Sequence, residues 1–168
     1  EILNKKRYKY FNIENIETIG VMNKKLHEIA RDRSNKRDFV LTIGGDHGLA
    51  TGSISGVLKT HENLRVIWFD AHGDCNTPET SHSGNYHGMP AAHLLNWIKE
   101  GEMKSFDWLK PSLGSDKIVF IGLRDLDHGE RSLLKQHGIK VYTPYDIEDL
   151  GGVSNVMDEA LEYLQCDQ

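Results

Sequence analysis

Short runs of apolar, β-branched and aromatic residues alternate along this chain with segments of helical periodicity, and this alternation restricts the fold more than any other feature. Four runs predict strands, at residues 39–43, 65–70, 117–122 and 139–142. Three of the four are apolar on both faces, as in a parallel sheet that is covered on both sides. We therefore predict a layered α/β fold with a mostly parallel sheet.

Two segments repeat apolar residues every three and four positions, as one buried face of a helix does. Weaker patterns predict helices at residues 91–98 and 132–136. No strand follows the last helix, although a crossover helix normally returns the chain to its sheet. We therefore expect residues 1–168 to form a single α/β domain that belongs to a longer one. The buried face predicted for the first of these helices is Ile16, Ile19, Met22, Leu26 and Ile29. The buried face predicted for the last helix is Val153, Val156, Met157, Ala160, Leu161 and Leu164.

The composition excludes several classes of protein. The formal net charge is −5, so the chain needs no basic surface and we expect no nucleic acid partner. The longest apolar runs are about four residues, too short to cross a membrane. Cys75 and Cys166 are too few for a disulfide framework, which fits a reducing compartment, either the cytoplasm or the mitochondrial matrix. Nine histidines direct attention to metal or proton-transfer chemistry.

The functional residues of an α/β fold gather where parallel strands end. The predicted strand 65–70 ends in Asp70, His72 and Asp74, which in an extended segment would project to the same side. Two neighbouring carboxylates repel each other unless a cation or protons lie between them. Carboxylate and imidazole groups without a thiolate suit Mn²⁺, Fe²⁺, Co²⁺ or Zn²⁺. We predict a metal site here; the alternative is a polar turn with a helix cap.

Three other polar segments follow predicted strands, and each has a structural alternative. Gly44-Gly45-Asp46-His47 by itself indicates a turn in which Asp46 caps the next helix. Asp127 and Glu130 have the spacing of a capping box, which by spacing alone is at least as strong an interpretation as a functional role. The long polar loop at 76–90 suits recognition of a small polar ligand, and a flexible loop is the alternative.

Together these motifs resemble the arginase (ureohydrolase) family. The resemblance implies a three-layer α-β-α fold with a binuclear manganese cluster at the strand ends. It also implies manganese-dependent hydrolysis of L-arginine to L-ornithine and urea by a metal-bound hydroxide, in a homo-oligomer that is commonly a trimer. The motifs, in the family's order and at its spacings, are Gly44-Gly45-Asp46-His47, Asp70-Ala71-His72-Gly73-Asp74, Asn76-Thr77-Pro78, Ser83-Gly84-Asn85-Tyr86-His87-Gly88-Met89-Pro90 and Gly122-Leu123-Arg124-Asp125-Leu126-Asp127.

The resemblance assigns the metal ligands residue by residue. His47 and Asp74 would bind one manganese, His72 would bind the other, and Asp70 would bridge both. Gly48 stands where family members commonly carry Ser, and we expect this to weaken the support of the His47 ring. These ligands supply five bonds, whereas two metals would need roughly ten. The family's second aspartate pair has no counterpart in these residues, so we expect the 168-residue chain alone to bind at most one manganese well and to be inactive.

The resemblance also assigns residues to the substrate. His87 would shuttle protons during collapse of the tetrahedral intermediate. The residues that would bind the substrate's α-carboxylate are Asn76, Ser83 and Asn85. Asp127 and Glu130 would hold its α-amino group, directly or through water.

Two other functions remain open at this stage. The chain could hydrolyse agmatine or another guanidino compound, or it could be a metal-deficient, non-catalytic relative. The segment Ser83-Gly84-Asn85 favours arginine, because agmatine has no carboxylate to recognise. The four ligands that these residues could supply are all present, which favours an enzyme over a non-catalytic relative.

Overall fold

The computed structural model describes residues 13–99, 101–110 and 113–166, which form two compact units. The first unit comprises residues 13–63 and 74–110, and the second comprises residues 64–73 and 113–166. No helix in these ranges is both long enough and apolar enough to cross a bilayer. The elements, in chain order, are helices α1 (Ile16–Asn35) and α2 (Ala50–Leu58), strand β1 (Val66–Phe69), helix α3 (Pro90–Leu94), strand β2 (Ile118–Ile121), helix α4 (His128–Gln136), strand β3 (Lys140–Tyr142), and helices α5 (Pro144–Asp149) and α6 (Val153–Tyr163).

The second unit contains a parallel sheet with strand order β1-β2-β3. Val66 lies opposite Ile118, and Val119 lies opposite Lys140. All four residues of β2 are buried, because this central strand is covered on both faces. The parallel sheet and the strands predicted at 65–70, 117–122 and 139–142 are therefore confirmed.

Helix α6 packs on one face of this sheet. Its apolar residues Val156 and Ala160, with Leu164 just beyond its end, form a buried cluster with sheet residues Val119, Ile121 and Tyr142. Arg65 Nε donates a hydrogen bond of 2.8 Å to the Leu164 carbonyl, which would otherwise be one of the unsatisfied carbonyls at the helix end. The helix predicted for the last segment of the chain is confirmed, but Val153, predicted on its buried face, is 48% exposed at the start of the helix.

The prediction of a strand at residues 39–43 is wrong for the described structure. This segment has no regular secondary structure, and Phe39 and Ile43 are 91% and 86% exposed. A strand needs a neighbouring strand to pair its N–H and C=O groups, and none of the described residues supplies one. The apolar run of this segment indicates a tendency to be buried, but it does not provide the partner strand.

Helix α1 forms where it is predicted, but its buried face is not the predicted one. Met22 and Ile29, placed on the buried face by the sequence, are 51% and 59% exposed. The face that is buried instead consists of small and polar residues. This occurs because α1 lies against α2 through hydrogen bonds and close backbone contacts, which hydrophobic periodicity does not report. The buried residues of α1 are Gly20, Asn23, His27, Ala30 and Ser34.

The contact between α1 and α2 depends on glycines in α2. A Cβ at Gly52 would lie 2.6 Å from the Asn23 carbonyl oxygen, and one at Gly56 would lie 2.4 Å from the His27 carbonyl oxygen. Asn23 Oδ1 accepts a hydrogen bond of 2.7 Å from the Gly52 N–H. The two helix backbones therefore approach more closely than any other residue type in α2 would permit.

Helix α3 is shorter than the predicted segment 91–98. Asn96 has a left-handed backbone with φ 60°, and the Trp97 N–H donates to the Ala92 carbonyl at 2.9 Å. This is the hydrogen-bond pattern of a Schellman C-terminus, in which Asn is one of the residues that tolerate the left-handed position. The helical pattern of the sequence continues past this stop because Leu95 and Ile98 are buried in any case.

An aromatic cluster forms part of the core of the first unit. The Phe106 ring stacks on Tyr86 with a centroid distance of 4.8 Å, and it lies 4.6 Å from the His93 ring. Burial lowers the pKa of His93 from its ordinary value of 6.5 to about 4. His93 is therefore neutral at physiological pH and packs among these aromatic rings without a charge.

The substitution Gly56→Ala tests the close contact between α1 and α2. In an exposed helix this change would stabilise the protein by about 1 kcal/mol. Here we expect it to lower the free energy of unfolding by roughly 1–3 kcal/mol, because the new Cβ would collide with the α1 backbone. Urea denaturation measures the effect. Gly45→Ala is the control, since its Cβ would meet nothing within 4 Å, and an unchanged or raised stability in Gly56→Ala would contradict the packing described.

The buried His93 predicts a pH dependence of stability. The folded state binds its proton only near pH 4, whereas the unfolded chain binds it near pH 6.5, so stability is complete above pH 6.5 and is lost as the pH falls toward 4. The loss amounts to about 3 kcal/mol at most. Subtracting the urea stability curve of His93→Asn, which cannot titrate there, isolates this contribution. Equal losses between pH 7 and 4 in both proteins would show that His93 is not held neutral.

Candidate metal centre

His47 and Asp74 form a close pair in the first unit. His47 begins a short 3-10 helix, and Asp46 caps it by accepting a hydrogen bond of 2.8 Å from the Gly48 N–H. The capping role considered for Asp46 is therefore present in the structure. His47 Nδ1 lies 2.5 Å from Asp74 Oδ2. The turn after residues 39–43 thus presents an imidazole nitrogen directly to a carboxylate oxygen.

The Asp74 carboxylate is buried without the hydrogen bond that would normally accompany its burial. Only 9% of its side chain is exposed, and its Oδ2 has no hydrogen-bond partner among the described residues despite the contact with His47. Leaving a buried carboxylate oxygen unsatisfied is costly unless a cation neutralises it. Two electron-donating atoms that converge without a hydrogen bond are the arrangement expected of two ligands of one metal ion.

The backbone at Asp74 is held in a conformation that few residues adopt. Its φ of 46° lies in the left-handed region, which Asp tolerates better than most non-glycine residues. The Asp74 carbonyl accepts a hydrogen bond of 2.9 Å from the Ala91 N–H at the start of α3. Strained backbone of this kind is found at functional sites, where surrounding contacts maintain it.

The second unit contains Asp70 and His72. Asp70 follows β1 and continues the parallel ladder, because its N–H donates to the Ile121 carbonyl at 3.1 Å. Asp70 Oδ1 accepts the His72 N–H at 2.9 Å and lies 3.4 Å from His72 Nδ1. Residues 70–72 therefore form a bend, and the extended conformation predicted for this segment is wrong at these residues. The side-chain oxygen of Asp70 bends the chain by competing for a backbone N–H.

Asp125 was not among the predicted site residues, yet it contacts one of them. His72 Nε2 lies 3.4 Å from Asp125 Oδ2, so the imidazole has a carboxylate on each side. The Arg124 and Asp125 N–H groups both donate to the Ala71 carbonyl, at 2.9 and 3.0 Å, which fixes the end of β2 beside the bend. Its position just after a buried strand is the signal that could have identified Asp125.

The polar loop of the first unit is ordered by its own hydrogen bonds. Asn76 is buried, its N–H donates to the Gly88 carbonyl at 3.0 Å, and its Oδ1 accepts from Thr80 Oγ1 at 2.8 Å. Ser83 Oγ is exposed and accepts the Asn85 N–H at 3.2 Å. The predicted carboxylate-binding residues therefore lie in a loop held in a defined shape, and their role toward a substrate stays a prediction.

His87 lies in the first unit on the exposed side of this loop. It belongs to a short 3-10 helix, Tyr86–Gly88, and slightly more than half of its side chain is exposed. Its Nδ1 lies 3.5 Å from Asp46 Oδ2, at the outer limit of a hydrogen bond. An exposed imidazole beside a carboxylate has the access that proton transfer requires, and its predicted catalytic role is not tested by these contacts.

Asp127 and Glu130 form the capping box that their spacing predicts. The Glu130 N–H donates to Asp127 Oδ1 at 3.0 Å, and the Asp127 N–H donates to Glu130 Oε2 at 3.3 Å. Glu130 is buried at the start of α4. Both carboxylates stabilise this helix terminus. Their predicted role in holding a substrate's α-amino group stays a prediction.

The donor set fits a hard or borderline divalent cation. His47 supplies imidazole nitrogen and Asp74 supplies carboxylate oxygen, while Asp70 and His72 offer the same two ligand types. The unsatisfied Oδ2 of Asp74 is the feature that a cation would complete. Divalent metals of the Mn²⁺ to Zn²⁺ series accept this mixture of oxygen and nitrogen ligands.

Comparison with known proteins relates this chain to one family. The model of the Arginase family matches residues 3–168. The arginase of Plasmodium berghei (strain Anka) is 46% identical over 154 residues, which cover 90% of this chain and 43% of that protein. The arginase of Bacillus subtilis (strain 168) is 42% identical over 156 residues, covering 92% of this chain and 52% of the relative. This chain therefore spans about half the length of these relatives.

Solved structures show the same relationship in three dimensions. A crystal structure of arginase from Bacillus subtilis matches with a TM-score of 0.85 and 41% identity, covering 92% of this chain and 52% of the other. Entamoeba histolytica arginase in complex with L-ornithine matches with a TM-score of 0.81 and 30% identity, again covering 92% of this chain and 52% of the other. The α/β fold with a parallel sheet is thus shared with these proteins, and the chain belongs to the Arginase family.

Proposed function

We propose that the protein hydrolyses L-arginine to L-ornithine and urea and that it uses manganese to do so. The observation that carries this proposal is the contact between His47 Nδ1 and a buried, unsatisfied Asp74 Oδ2. Membership of the Arginase family supports the reaction class, since relatives named arginase match this chain along nine-tenths of its length.

The proposed metal ligands are His47, Asp70, His72 and Asp74. His47 and Asp74 would hold one manganese, His72 would hold a second, and Asp70 would bridge the two. Asp70 and Asp74 are separated by only three residues of chain, which supports their serving one cluster. When bound, manganese would lower the pKa of water toward neutrality and so supply the nucleophile that attack on a guanidinium requires.

The loop residues would bind the amino-acid end of the substrate. Asn76, Ser83 and Asn85 offer amide and hydroxyl groups that can donate hydrogen bonds to an α-carboxylate. Asp127 and Glu130 carry the negative charge that an α-ammonium group would need. Hydrogen-bond donors that match a carboxylate would favour arginine over agmatine, because agmatine would leave them unpaired.

His87 would move the proton that the reaction needs. The Nε atom of arginine must be protonated as its bond to the guanidinium carbon breaks, because it leaves as the side-chain amino group of ornithine while that carbon leaves in urea. The exposed His87 ring, with Asp46 Oδ2 beside its Nδ1, can accept a proton from solvent and pass it inward. Asp46 Oδ2 would help to orient the imidazole ring for these two steps.

We propose three further properties of the protein. A homotrimer rests on the family resemblance alone. A cytoplasmic location is supported by the cysteine count, because Cys75 and Cys166 are too few for a disulfide framework. Inactivity of residues 1–168 as an isolated polypeptide follows from the proposed ligands, which supply too few bonds for two manganese ions.

The substitution Asp74→Asn tests the proposed metal site. It keeps the shape of the side chain but removes the charge that the buried position needs a cation to balance. Applied to the protein as it occurs, with any residues that flank this segment, it should weaken manganese binding by more than about 100-fold, because mutations outside the ligand set already cost 10–100-fold. Titration with Mn²⁺ measures the dissociation constant, and urea release from L-arginine should fall in parallel.

The control variant is Asp107→Asn, which alters an exposed carboxylate of the same unit. It should bind manganese and release urea like the unmodified protein. Wild-type manganese affinity in Asp74→Asn would refute the metal site. Urea release from agmatine as fast as from L-arginine would favour the guanidino hydrolase of broader specificity, and no urea from either compound would favour a non-catalytic relative.

A further inference from the structure

Three buried side chains of the first unit are joined by hydrogen bonds beneath the loop that carries His87. The Tyr86 hydroxyl lies 2.8 Å from Thr51 Oγ1 and 2.9 Å from His93 Nδ1. All three residues are buried, and they come from α2, the 3-10 helix Tyr86–Gly88 and α3. One phenol therefore links three consecutive elements of this unit, and each partner satisfies a buried polar group of the next.

Burial fixes the protonation states of Tyr86 and His93 in this hydrogen-bonded group. Burial raises the pKa of the Tyr86 phenol far above its ordinary value, against a smaller opposing effect of the hydrogen bond with Thr51. His93 is neutral for the reason given above. Because every member is uncharged near neutral pH, the hydrogen bonds persist throughout the range in which an enzyme of this kind works. These hydrogen bonds can therefore hold Tyr86 in place at any pH in that range.

The Tyr86 ring also contacts the turn that carries His47. A Cβ at Gly48 would lie 2.9 Å from Tyr86 Cδ1 and 2.7 Å from Asp46 Oδ1. The ring thus occupies the space that any side chain at position 48 would need. The ring also stacks on Phe106 at an angle of 26°. Tyr86 is consequently held both at its ring and at its hydroxyl.

The residues on either side of these contacts are the ones assigned to the reaction. Tyr86 stands between Asn85 and His87, and Gly48 directly follows His47. We propose that Tyr86 is a positioning residue that couples the His47 turn to the Asn85–His87 segment, with Gly48 as the position that admits its ring. This inference rests on the proposed function, because it gives Tyr86 a role only in relation to the residues assigned there.

The hydroxyl and the ring are tested separately. In Tyr86→Phe the ring remains stacked, but the link to Thr51 and His93 is lost. We expect KM for L-arginine to rise about 10-fold and kcat to fall, because Asn85 and His87 lose a common anchor. Tyr145→Phe, a change at an exposed tyrosine, is the control and should leave both constants unchanged. Wild-type KM and kcat in a less stable Tyr86→Phe would reduce Tyr86 to a packing residue and overturn the proposal.

The coupling between Gly48 and Tyr86 is tested by a double-mutant cycle with manganese affinity as the readout. Gly48→Ala should raise the manganese dissociation constant about 10-fold in the wild-type background, because the new Cβ displaces the Tyr86 ring. In the Tyr86→Leu background, where the ring is absent, the same change should raise it less than about 3-fold. Gly45→Ala is the control and should leave the affinity unchanged.

The outcomes of this cycle separate the two proposals. Equal effects of Gly48→Ala in both backgrounds would mean that position 48 acts through Asp46 alone, and the coupling would be refuted. A protein that binds manganese with the predicted coupling but releases no urea would overturn the proposed function and leave the coupling standing. Urea denaturation of each variant establishes that the affinities are measured on folded protein.

Discussion

The segments around Asp74 are arranged so that one carboxylate oxygen is buried beside an imidazole nitrogen of His47. This oxygen has no hydrogen bond to satisfy it. Asp74 cannot leave this position without changing its left-handed backbone, and its carbonyl satisfies the Ala91 N–H at the start of α3. His47 meets the carboxylate from the 3-10 helix that it begins and that Asp46 caps. An arrangement that is unfavourable by itself becomes reasonable when a cation completes it.

The loop between Asp74 and α3 is held by hydrogen bonds at several points along its length. Its early part is closed by the hydrogen bond from the Asn76 N–H to the Gly88 carbonyl, and its late part is fixed from below by Tyr86. His87 reaches toward Asp46, whose other oxygen caps the 3-10 helix. Within the first unit, the residues proposed for the metal, the substrate and proton transfer therefore share one set of supports.

The sequence predicted much of the fold because strand and helix patterns here coincide with burial. The runs that became β1 and β2 are apolar on both faces, and α6 buries the face that its periodicity indicates from Val156 onward. The pattern failed at α1, where Asn23, His27 and the glycines of α2 replace apolar packing with hydrogen bonds and backbone contact. It failed at residues 39–43 because a strand also requires a partner, which alternation cannot supply.

The site was predictable in its residue types more than in its geometry. Asp70 and His72 were identified by their place after a strand, but the bend at Asp70 and the contact with Asp125 depend on side-chain hydrogen bonds with no periodic signal. The capping box of Asp127 and Glu130 was visible in their spacing. The meaning of Gly48 was not, because the Tyr86 ring that fills its empty space lies 38 residues further along the chain.

The most direct test of this account is a crystal structure of the protein grown with Mn²⁺, with anomalous diffraction recorded on the manganese absorption edge. The account predicts an anomalous peak that locates one manganese ion between His47 Nδ1 and Asp74 Oδ2. Each of these atoms should lie about 2.0–2.3 Å from the ion. A well-ordered structure without such a peak, in which His47 instead donates a hydrogen bond to Asp74, would contradict the metal centre and the function proposed from it.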